Sequence, residues 1–335
     1  MIKKIQKTQI EIRKAYFSNK KPWFIAFSGG KDSTLVLLQM VDFLKREKSS
    51  KKVVVVYCDT GVEIPIMREY TLNTLKKLQK ISVEKHLNID VIVAKPDIND
   101  SFFVNVIGKG YVPPSFMFRW CTDRLRTRPL QKATGNCENV IVLGTRLNES
   151  SERNRVLKSN QISEYMFKQR NYAKTTIFSP IIDYNVDEVW KAIDVLNCDN
   201  IVDLEYLKFL YKGFVGADTI EEDAPGGRYG CWVCTVVRKD KAGENLIKKG
   251  FSEIEALMNY RELLLCYRND PEKRLPNRKN KVEGKGPFKL SVRKELLERL
   301  LETQKSTRYE LITSEEIDAI YELWKQENLE LIHSD

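Results

Sequence analysis

The chain has 335 residues, of which 42% are hydrophobic and 30% are charged, and its formal net charge is +10. This composition is typical of a globular protein and argues against disorder, and no apolar run approaches the roughly 18 residues that a membrane span requires. The length suits about two domains, and the positive charge favours a polyanionic partner. Residues 1–20 alternate charges with isolated isoleucines, unlike a signal peptide, which predicts a cytoplasmic protein with no membrane partner.

The predicted elements alternate between short β-type runs and helical patterns from Trp23 to Leu143, which indicates a parallel sheet wound with helices. Strands are predicted over residues 23–27, 53–57, 90–94 and 139–145. One helix follows residue 33, and Pro65 begins another at a position where its missing N–H costs nothing. Each strand ends in polar or glycine residues, and open α/β sheets bind ligands at that edge.

The later part of the chain is predicted to be mainly helical. Residues 148–174 are polar and basic, and we expect a mobile lid or a linker there. Asn185 followed by Glu188 matches a capping box that begins a helix. The clearest boundary falls near residue 200, which predicts an N-terminal helix over residues 1–20, an α/β domain over residues 21–200 and a mainly helical region over residues 201–335.

The strongest local motif is Ser-Gly-Gly-Lys-Asp-Ser at residues 28–33, directly after a predicted strand and before a predicted helix. Glycines allow close approach to the backbone, and a helix N-terminus offers unsatisfied N–H groups. Ser28, Lys31 and Ser33 add hydroxyl and ammonium donors. The motif therefore predicts a phosphate site, although it lacks the Walker A spacing, and an ordinary capped turn is the alternative.

Cysteine and histidine counts restrict the metal chemistry. The seven cysteines are an odd number without a secretory signal, which favours metal or catalytic roles over disulfides, and two histidines are too few for a histidine-based site. Cys231 and Cys234 form a Cys-x-x-Cys motif that suits zinc, a redox pair or an iron–sulfur cluster. Cys121 lies among basic residues that would lower its thiol pKa, with a buried structural thiol as the alternative. Three further cysteines lie in or beside apolar runs and are predicted core residues: Cys58, Cys137 and Cys198.

Two segments concentrate positive charge. Residues 119–132 contain five basic residues and one acidic residue, and residues 268–289 contain eight basic and three acidic residues. Guanidinium groups suit bidentate contact with phosphate or sulfate oxygens, so we expect the first segment to line the acceptor end of the site. The second segment is predicted to contact a nucleic-acid backbone, with a solvated basic loop as the alternative.

Together these motifs resemble a known family. Residues 28–33 resemble the PP-loop of the ATP pyrophosphatase superfamily, and RWCTDRLR (residues 119–126) with GCWVCTVV (residues 230–237) resembles the DndC-type sulfurtransferases of DNA phosphorothioation. That family belongs to the phosphoadenosine phosphosulfate reductase branch, and the resemblance covers about residues 20–330. It implies a doubly wound, mostly parallel PP-loop α/β fold with a mainly helical C-terminal region carrying an iron–sulfur site.

The resemblance also implies an activity. ATP is cleaved to AMP and pyrophosphate, a DNA backbone phosphate is adenylated, and a non-bridging oxygen is replaced by sulfur. The implied cofactor is a [4Fe–4S] cluster, with ATP as the substrate and Mg²⁺ on its phosphates. The implied partners are DNA, a cysteine desulfurase as sulfur donor and other DNA phosphorothioation proteins.

Site residues follow from the same resemblance, position by position. The implied ATP and pyrophosphate site comprises two groups, Ser28, Gly29, Gly30, Lys31, Asp32 and Ser33, and then Asp59, Thr60, Gly144, Thr145 and Arg146. Lys31, Asp32 and Arg146 are the predicted catalytic residues, and Asp32 and Asp59 are candidates near Mg²⁺ or the ribose. The predicted cluster ligands are Cys121, Cys231 and Cys234. The predicted contacts to the substrate phosphate or DNA are Arg119, Arg124, Arg128 and Arg153.

A fourth cluster ligand is not apparent, because Trp120 stands where a reductase-type Cys-Cys pair has its second cysteine. Cys266 lies in a helical run of leucines, which favours core packing, and it stays open as the fourth ligand beside a small thiol or sulfide. Three protein ligands would leave one iron open for sulfide. The alternatives are a phosphoadenosine phosphosulfate reductase, which uses a reactive cysteine near the C-terminus, and a tRNA thiolation enzyme. A non-catalytic iron–sulfur scaffold of a DNA-binding complex is a third alternative, and it predicts no ATP turnover.

Overall fold

The computed structural model describes residues 1–147, 151–169, 174–215, 230–278 and 283–332. The strands are β1 (Trp23–Ala26), β2 (Val53–Cys58), β3 (Ile89–Ala94), β4 (Asn139–Val142), β5 (Met166–Lys168) and β6 (Thr175–Phe178). The helices are α1 (Ile2–Phe17), α2 (Lys31–Glu47), α3 (Pro65–Glu84), α4 (Trp120–Thr122), α5 (Arg128–Thr134), α6 (Ser151–Asn160), α7 (Val186–Leu196), α8 (Leu204–Val215), α9 (Lys241–Lys248), α10 (Glu253–Asn269), α11 (Leu290–Lys305) and α12 (Ser314–Ile332).

The six strands form one sheet in the order β3-β2-β1-β4-β6-β5. Neighbouring strands are parallel except for β5, which runs antiparallel to β6 at the edge. The chain moves outward from β1 to β3 and then returns to place β4 on the other side of β1. The strand order therefore reverses between β1 and β4, and such a switch point is where open α/β sheets bind ligands. The predicted fold class is confirmed.

The central strands are buried because helices cover the sheet. Trp23 and Ile25 of β1 and Val140 and Val142 of β4 are fully buried, which is typical of parallel strands with both faces covered. Tyr16 of α1 contacts the Trp23 ring edge-on, with 5.1 Å between the ring centroids. This contact packs the N-terminal helix against the sheet.

Local capping signals place the helices as predicted. Pro65 occupies the first turn of α3. At α7, the Glu188 N–H donates to Asn185 Oδ1 and the Asn185 N–H donates to Glu188 Oε2, each over 2.8 Å. The capping box predicted from these two residues is therefore confirmed.

The segment 148–174 differs from the prediction of a lid or linker. Its described residues form α6 and β5, and β5 pairs with β6 through the register Phe167 to Ile177. Phe167 is buried in the core, so this three-residue strand is stabilised by tertiary contacts that the local sequence does not show. The predicted strand 139–145 ends earlier, at Val142, because the following residues turn toward the β1 loop.

The C-terminal helices pack against the π-helical turn Val104–Gly108. Arg293 of α11 is almost fully buried, and it donates to the Gly108 carbonyl over 2.6 Å and pairs with Glu327 of α12. Trp324 Nε1 of α12 donates to the Ile107 carbonyl over 3.0 Å. The predicted domain boundary near residue 200 stays a prediction. No helix within the described ranges is long and apolar enough to cross a membrane.

Cys137 and Cys198, predicted to lie in the core, are exposed, and so is Cys266, for which core packing was the favoured alternative. The first two follow the ends of α5 and α7, where the chain turns at the surface, so the neighbouring apolar runs do not cover them. Cys58, at the end of β2, is half-buried and packs against the core.

Candidate nucleotide and thiol site

The loop at residues 28–33 is closed by its own hydrogen bonds. The Ser33 hydroxyl donates to the Gly30 carbonyl over 3.0 Å and accepts from the Ser28 N–H over 3.2 Å, and the Ser28 hydroxyl lies 3.1 Å from it. Gly29 has a φ of +75°, and a Cβ there would lie 2.1 Å from Thr71 Oγ1. The loop is thus a preformed turn at the N-terminus of α2, where backbone N–H groups and the helix dipole favour an anion.

A second segment, after β4, lies directly against this loop. A Cβ on Gly144 would lie 2.7 Å from the Asp32 carbonyl carbon and 2.8 Å from the Ser33 nitrogen. Only glycine permits this approach of two backbones. The structure therefore brings Gly144, Thr145 and Arg146 to the loop at residues 28–33, at the switch point between β1 and β4, and their contact with ATP stays a prediction.

Arg146, Asp32 and Lys31 form an ion cluster at this site. Arg146 Nε donates to Asp32 Oδ1 over 2.7 Å, and Arg146 Nη1 lies 3.3 Å from the Tyr184 carbonyl oxygen. Lys31 Nζ lies 3.5 Å from Asp32 Oδ2. Arg146 is only 3% exposed, so it is held in place rather than solvated. Two cations around one carboxylate leave the cluster net positive, which suits a polyphosphate ligand.

Tyr211 of α8 joins the same site, although the sequence contains no signal for it. The Lys31 N–H donates to the Tyr211 hydroxyl over 2.9 Å, and Lys31 Nζ lies 5.1 Å from the centroid of the Tyr211 ring. Tyr211 is 7% exposed and meets Trp190 edge-on. A tyrosine 180 residues away in the chain therefore engages the first backbone donor of α2.

Asp59 and Thr60 lie after β2, at the same edge of the sheet. Asp59 is 2% exposed, and Arg68 donates to both of its oxygens, over 2.9 and 2.7 Å. The Thr60 N–H donates to the Glu63 carboxylate. Because Arg68 takes both oxygens, the geometry favours Asp59 as a partner of Arg68, and its contact with Mg²⁺ or ribose stays a prediction.

The three predicted cluster ligands come together next to this edge. The Cys234 N–H donates to the Cys231 carbonyl over 3.0 Å, which closes the Cys-x-x-Cys turn. The turn is attached to the segment after β2, because the Trp232 N–H donates to the Val62 carbonyl over 3.0 Å. Burial is the main cause that raises the pKa of Cys231, and the thiols of Cys234 and of Cys121, at the start of α4, raise it further.

Arg126 is a further residue of the thiol site. Its Nη2 lies 4.0 Å from Cys231 Sγ. Burial nevertheless raises the pKa of Cys231 to about 12, and burial also raises the pKa of Cys121. The expected lowering of the Cys121 pKa is therefore wrong for the free thiol, since desolvation outweighs the nearby guanidinium.

The donor set consists of thiols, the ligands of iron–sulfur clusters. Among the residues that the structure describes, no group of three His, Cys, Asp or Glu side chains is placed to hold one metal ion. A cluster separates its ligand sulfurs by its own width, and thiolates are the ligands that iron–sulfur clusters take. Cys121, Cys231 and Cys234 supply three thiols, with Arg126 beside Cys231, so the chemistry of the donors fits the implied group.

Cys266 does not face these thiols. Helix α10 contacts the Cys-x-x-Cys turn through Arg261, whose Nε donates to the Cys234 carbonyl over 2.9 Å, and through Arg268, which donates to the Thr235 carbonyl over 2.6 Å. Arg261 and Arg268 are two turns apart and share one face. Cys266 lies five residues after Arg261, which places it about 140° around the helix from that face.

Nearby carboxylates offset part of the positive charge of the basic segment 119–132. Arg124 donates to Asp100 over 3.1 Å and to the Tyr111 hydroxyl over 3.1 Å. Arg128 donates to Asp100 over 2.7 Å and to Asp123 over 2.9 Å. Arg124 and Arg128 are therefore paired with carboxylates, and their contact with a substrate phosphate stays a prediction.

Arg119 remains exposed, with its guanidinium 5.0 Å from the centroid of the Phe116 ring. The side chain of Arg153 lies outside the described residues. In the second basic segment, Arg268 donates to the Pro114 carbonyl over 2.8 Å and Arg274 donates to the Lys285 carbonyl over 2.7 Å. These two arginines hold loops together, so only part of the segment's charge faces solvent.

Residues 22–236 match the phosphoadenosine phosphosulfate reductase domain. The chain belongs to this family. The expected branch of the PP-loop superfamily is confirmed, and the match contains both the phosphate loop and the Cys-x-x-Cys motif. An uncharacterized protein of Methanocaldococcus jannaschii, MJ0066, is 28% identical over 245 residues, which cover 72% of this chain. The chain spans only 42% of the length of that relative.

Three solved structures show a low similarity to this chain. Phosphoadenylyl-sulfate reductase from Candida auris, in a phosphate complex, has a TM-score of 0.38 at 14% identity and covers 65% of this chain and 89% of its own. The U34-tRNA thiolase NcsA from Methanococcus maripaludis, with its [4Fe–4S] cluster, has a TM-score of 0.36 at 14% identity and covers 78% of this chain and 80% of its own. NH3-dependent NAD synthetase from Campylobacter jejuni has a TM-score of 0.38 at 14% identity and covers 80% of this chain and 96% of its own.

Proposed function

We propose that this protein cleaves ATP to AMP and pyrophosphate, and that it adenylates a DNA backbone phosphate so that sulfur can replace a non-bridging oxygen. The observation that carries the proposal is the contact of Gly144 with the backbone of Asp32 and Ser33. Two loops that a nucleotide would bridge meet there at the switch point of the sheet. A turn that only caps a helix has no need for such a contact.

Phosphate binding uses the loop and the ion cluster. The pyrophosphate portion of ATP would lie at the N-terminus of α2, with Lys31 and Arg146 beside it. In the first step an oxygen of the acceptor phosphate attacks the α-phosphorus, and the bond from that phosphorus to the bridging oxygen breaks. Pyrophosphate leaves with additional negative charge, which Lys31 and Arg146 stabilise. Asp32 holds Arg146 in position for this role.

The second step replaces the activated oxygen. Sulfur at the sulfide level attacks the phosphorus of the acceptor, a P–S bond forms, and AMP leaves with the former non-bridging oxygen. The sulfur is delivered as a persulfide by a cysteine desulfurase, and a thiol reductant supplies the two electrons that bring it to sulfide. Adenylation is required because an unmodified phosphate oxygen is a very poor leaving group.

Cys121, Cys231 and Cys234 would hold a [4Fe–4S] cluster, and when bound it would supply sulfur-binding and redox chemistry near the acceptor. Arg126 offsets negative charge at this position. In this proposal DNA is the substrate, a cysteine desulfurase is the donor, other DNA phosphorothioation proteins are partners, and Mg²⁺ accompanies ATP. The expected cytoplasmic location belongs to the same proposal.

The test is pyrophosphate release by anaerobically purified protein whose iron and sulfide have been counted. Release is measured with DNA, with tRNA and with no acceptor. We expect DNA to stimulate release and Lys31→Ala to abolish it. Lys45→Ala is the matched control, because Lys45 lies on the same helix but pairs with Asp199. Stimulation by tRNA alone would favour tRNA thiolation, reduction of a phosphosulfate would favour a reductase, and absence of any ATP turnover would favour a scaffold.

A further inference from the structure

A rigid apolar tip stands next to the thiol site. Phe116, Met117 and Phe118 are 72%, 88% and 48% exposed, three consecutive large apolar side chains. The turn is closed from both sides, because the Ser115 N–H donates to the Phe118 carbonyl over 3.1 Å and the Phe118 N–H donates to the Ser115 carbonyl over 3.2 Å. An exposed apolar cluster on an ordered turn marks a contact site.

The stem of this turn is fixed to the thiol site. The Pro114 carbonyl accepts from the Thr235 hydroxyl over 2.6 Å and from Arg268 over 2.8 Å. Thr235 directly follows Cys234 in the sequence. Beyond the tip, Trp120 Nε1 donates to the Val112 carbonyl over 2.9 Å, immediately before Cys121. Both ends of the tip are therefore tied to the loops that carry the thiols.

The chemistry of the tip favours a nucleic acid. The guanidinium of Arg119 lies 5.0 Å from the centroid of the Phe116 ring, which places a cation against one aromatic face. Residues 111–122 contain no acidic residue. Exposed aromatic rings next to a cation stack on unpaired bases and contact their phosphates, whatever the base sequence. Contact with an apolar protein pocket alone would not require the arginine.

We propose that Phe116 and Phe118 stack on unpaired bases of the nucleic acid whose phosphate is modified, with Arg119 contacting the adjacent backbone. This inference rests on the proposed function, because it identifies the acceptor as single-stranded or locally unpaired. It places the stacked bases beside the thiols, where sulfur is to be transferred. The phosphate next to a stacked base would thereby be held at the site.

The test is fluorescence anisotropy of the full-length protein with three labelled probes at one salt concentration: a single strand, the same strand with abasic central positions, and its duplex. We expect Phe116→Ala to weaken binding of the single strand about tenfold and to leave the abasic strand unchanged. Phe116→Tyr is expected to retain binding. The matched control is Phe17→Ala, since Phe17 is likewise exposed, at 54%, and has the guanidinium of Arg13 5.7 Å from the centroid of its ring, but lies on α1.

Several outcomes would overturn base stacking. The first is equal binding of the single strand by the wild type and by Phe116→Ala. The second is that Phe116→Ala loses as much affinity for the abasic strand as for the normal strand. The third is that Phe116→Ala slows sulfur transfer from a cysteine desulfurase while its nucleic-acid affinity is unchanged, which would identify a protein-docking site. If DNA still stimulates pyrophosphate release in these cases, the proposed function stands and only this inference fails. If the wild type binds none of the probes and DNA does not stimulate release, both fail.

Discussion

Gly144 lies against the backbone of Asp32, so close that a Cβ on residue 144 would be 2.7 Å from the Asp32 carbonyl carbon. We expect Gly144→Ala to push the two loops apart and to abolish ATP binding while the sheet still forms. Isothermal titration with ATP measures this. Gly230→Ala is the control, because no atom of the part of the chain that the structure describes lies within 4 Å of a Cβ built there. Normal ATP affinity of Gly144→Ala would show that the two loops do not share the nucleotide.

Arg146 is predicted to act through its fixed orientation. Lysine retains the charge but loses the planar group that contacts Asp32, so we expect Arg146→Lys to lower kcat for pyrophosphate release about 10- to 100-fold. Arg46→Lys, in an exposed pair with Asp42 on α2, is expected to have no effect. Equal rates for Arg146→Lys and the wild type would mean that charge alone suffices.

Tyr211 is predicted to compete with phosphate for the Lys31 N–H. Its hydroxyl accepts that donor over 2.9 Å, and one hydrogen bond is worth about 1 kcal/mol net. We therefore expect Tyr211→Phe to bind pyrophosphate about fivefold more tightly. Tyr206→Phe on the same helix is the control. Weaker binding by Tyr211→Phe would instead make the hydroxyl a ligand of the phosphate.

The thiol site is tested by iron content after anaerobic purification. We expect Cys121→Ser, Cys231→Ser and Cys234→Ser each to lose iron and sulfide. Cys266→Ser is the matched control, because α10 turns Cys266 away from the other thiols, and it is expected to keep both. Loss of iron from Cys266→Ser would restore it as the fourth ligand.

Buried phenol and thiol groups predict a loss of stability at alkaline pH. Burial raises the pKa of Cys58 to about 11 and raises the pKa of Tyr57 and Tyr260 above the ordinary value. Because these groups ionise more readily in the unfolded chain, the free energy of unfolding falls as pH rises above about 9. Urea unfolding at pH 8 and pH 10.5 measures the change, and equal values would contradict it.

Tyr57 offers a sharper form of the same test. Its hydroxyl is buried and has no hydrogen-bond partner among the described residues. Tyr57→Phe removes an unsatisfied polar atom, so we expect about 1 kcal/mol of added stability at pH 8 and a smaller loss at pH 10.5. Destabilisation at pH 8 would indicate that the hydroxyl is bound in solution.

Local patterns in the sequence were sufficient to predict the sheet and the turn at residues 28–33. The capping box of Asn185 and Glu188, Pro65 at a helix start and the turn at residues 28–33 each depend on neighbours in the chain, so their structures follow from residue type and spacing. The alternation of strands and helices likewise predicted the parallel sheet. The edge strand β5 escaped prediction because only its pairing with β6 stabilises it.

Contacts between distant residues explain what the sequence left open. Asp100 neutralises Arg124 and Arg128 from outside the basic segment, and Tyr211 reaches Lys31 across 180 positions. The direction of Cys266 depends on which face of α10 packs against the Cys-x-x-Cys turn. Charge, hydroxyl and thiol chemistry are properties of single residues and are visible in the sequence. The partner of each group depends on chain packing, because burial and long-range contacts decide which charges are neutralised and which thiols meet.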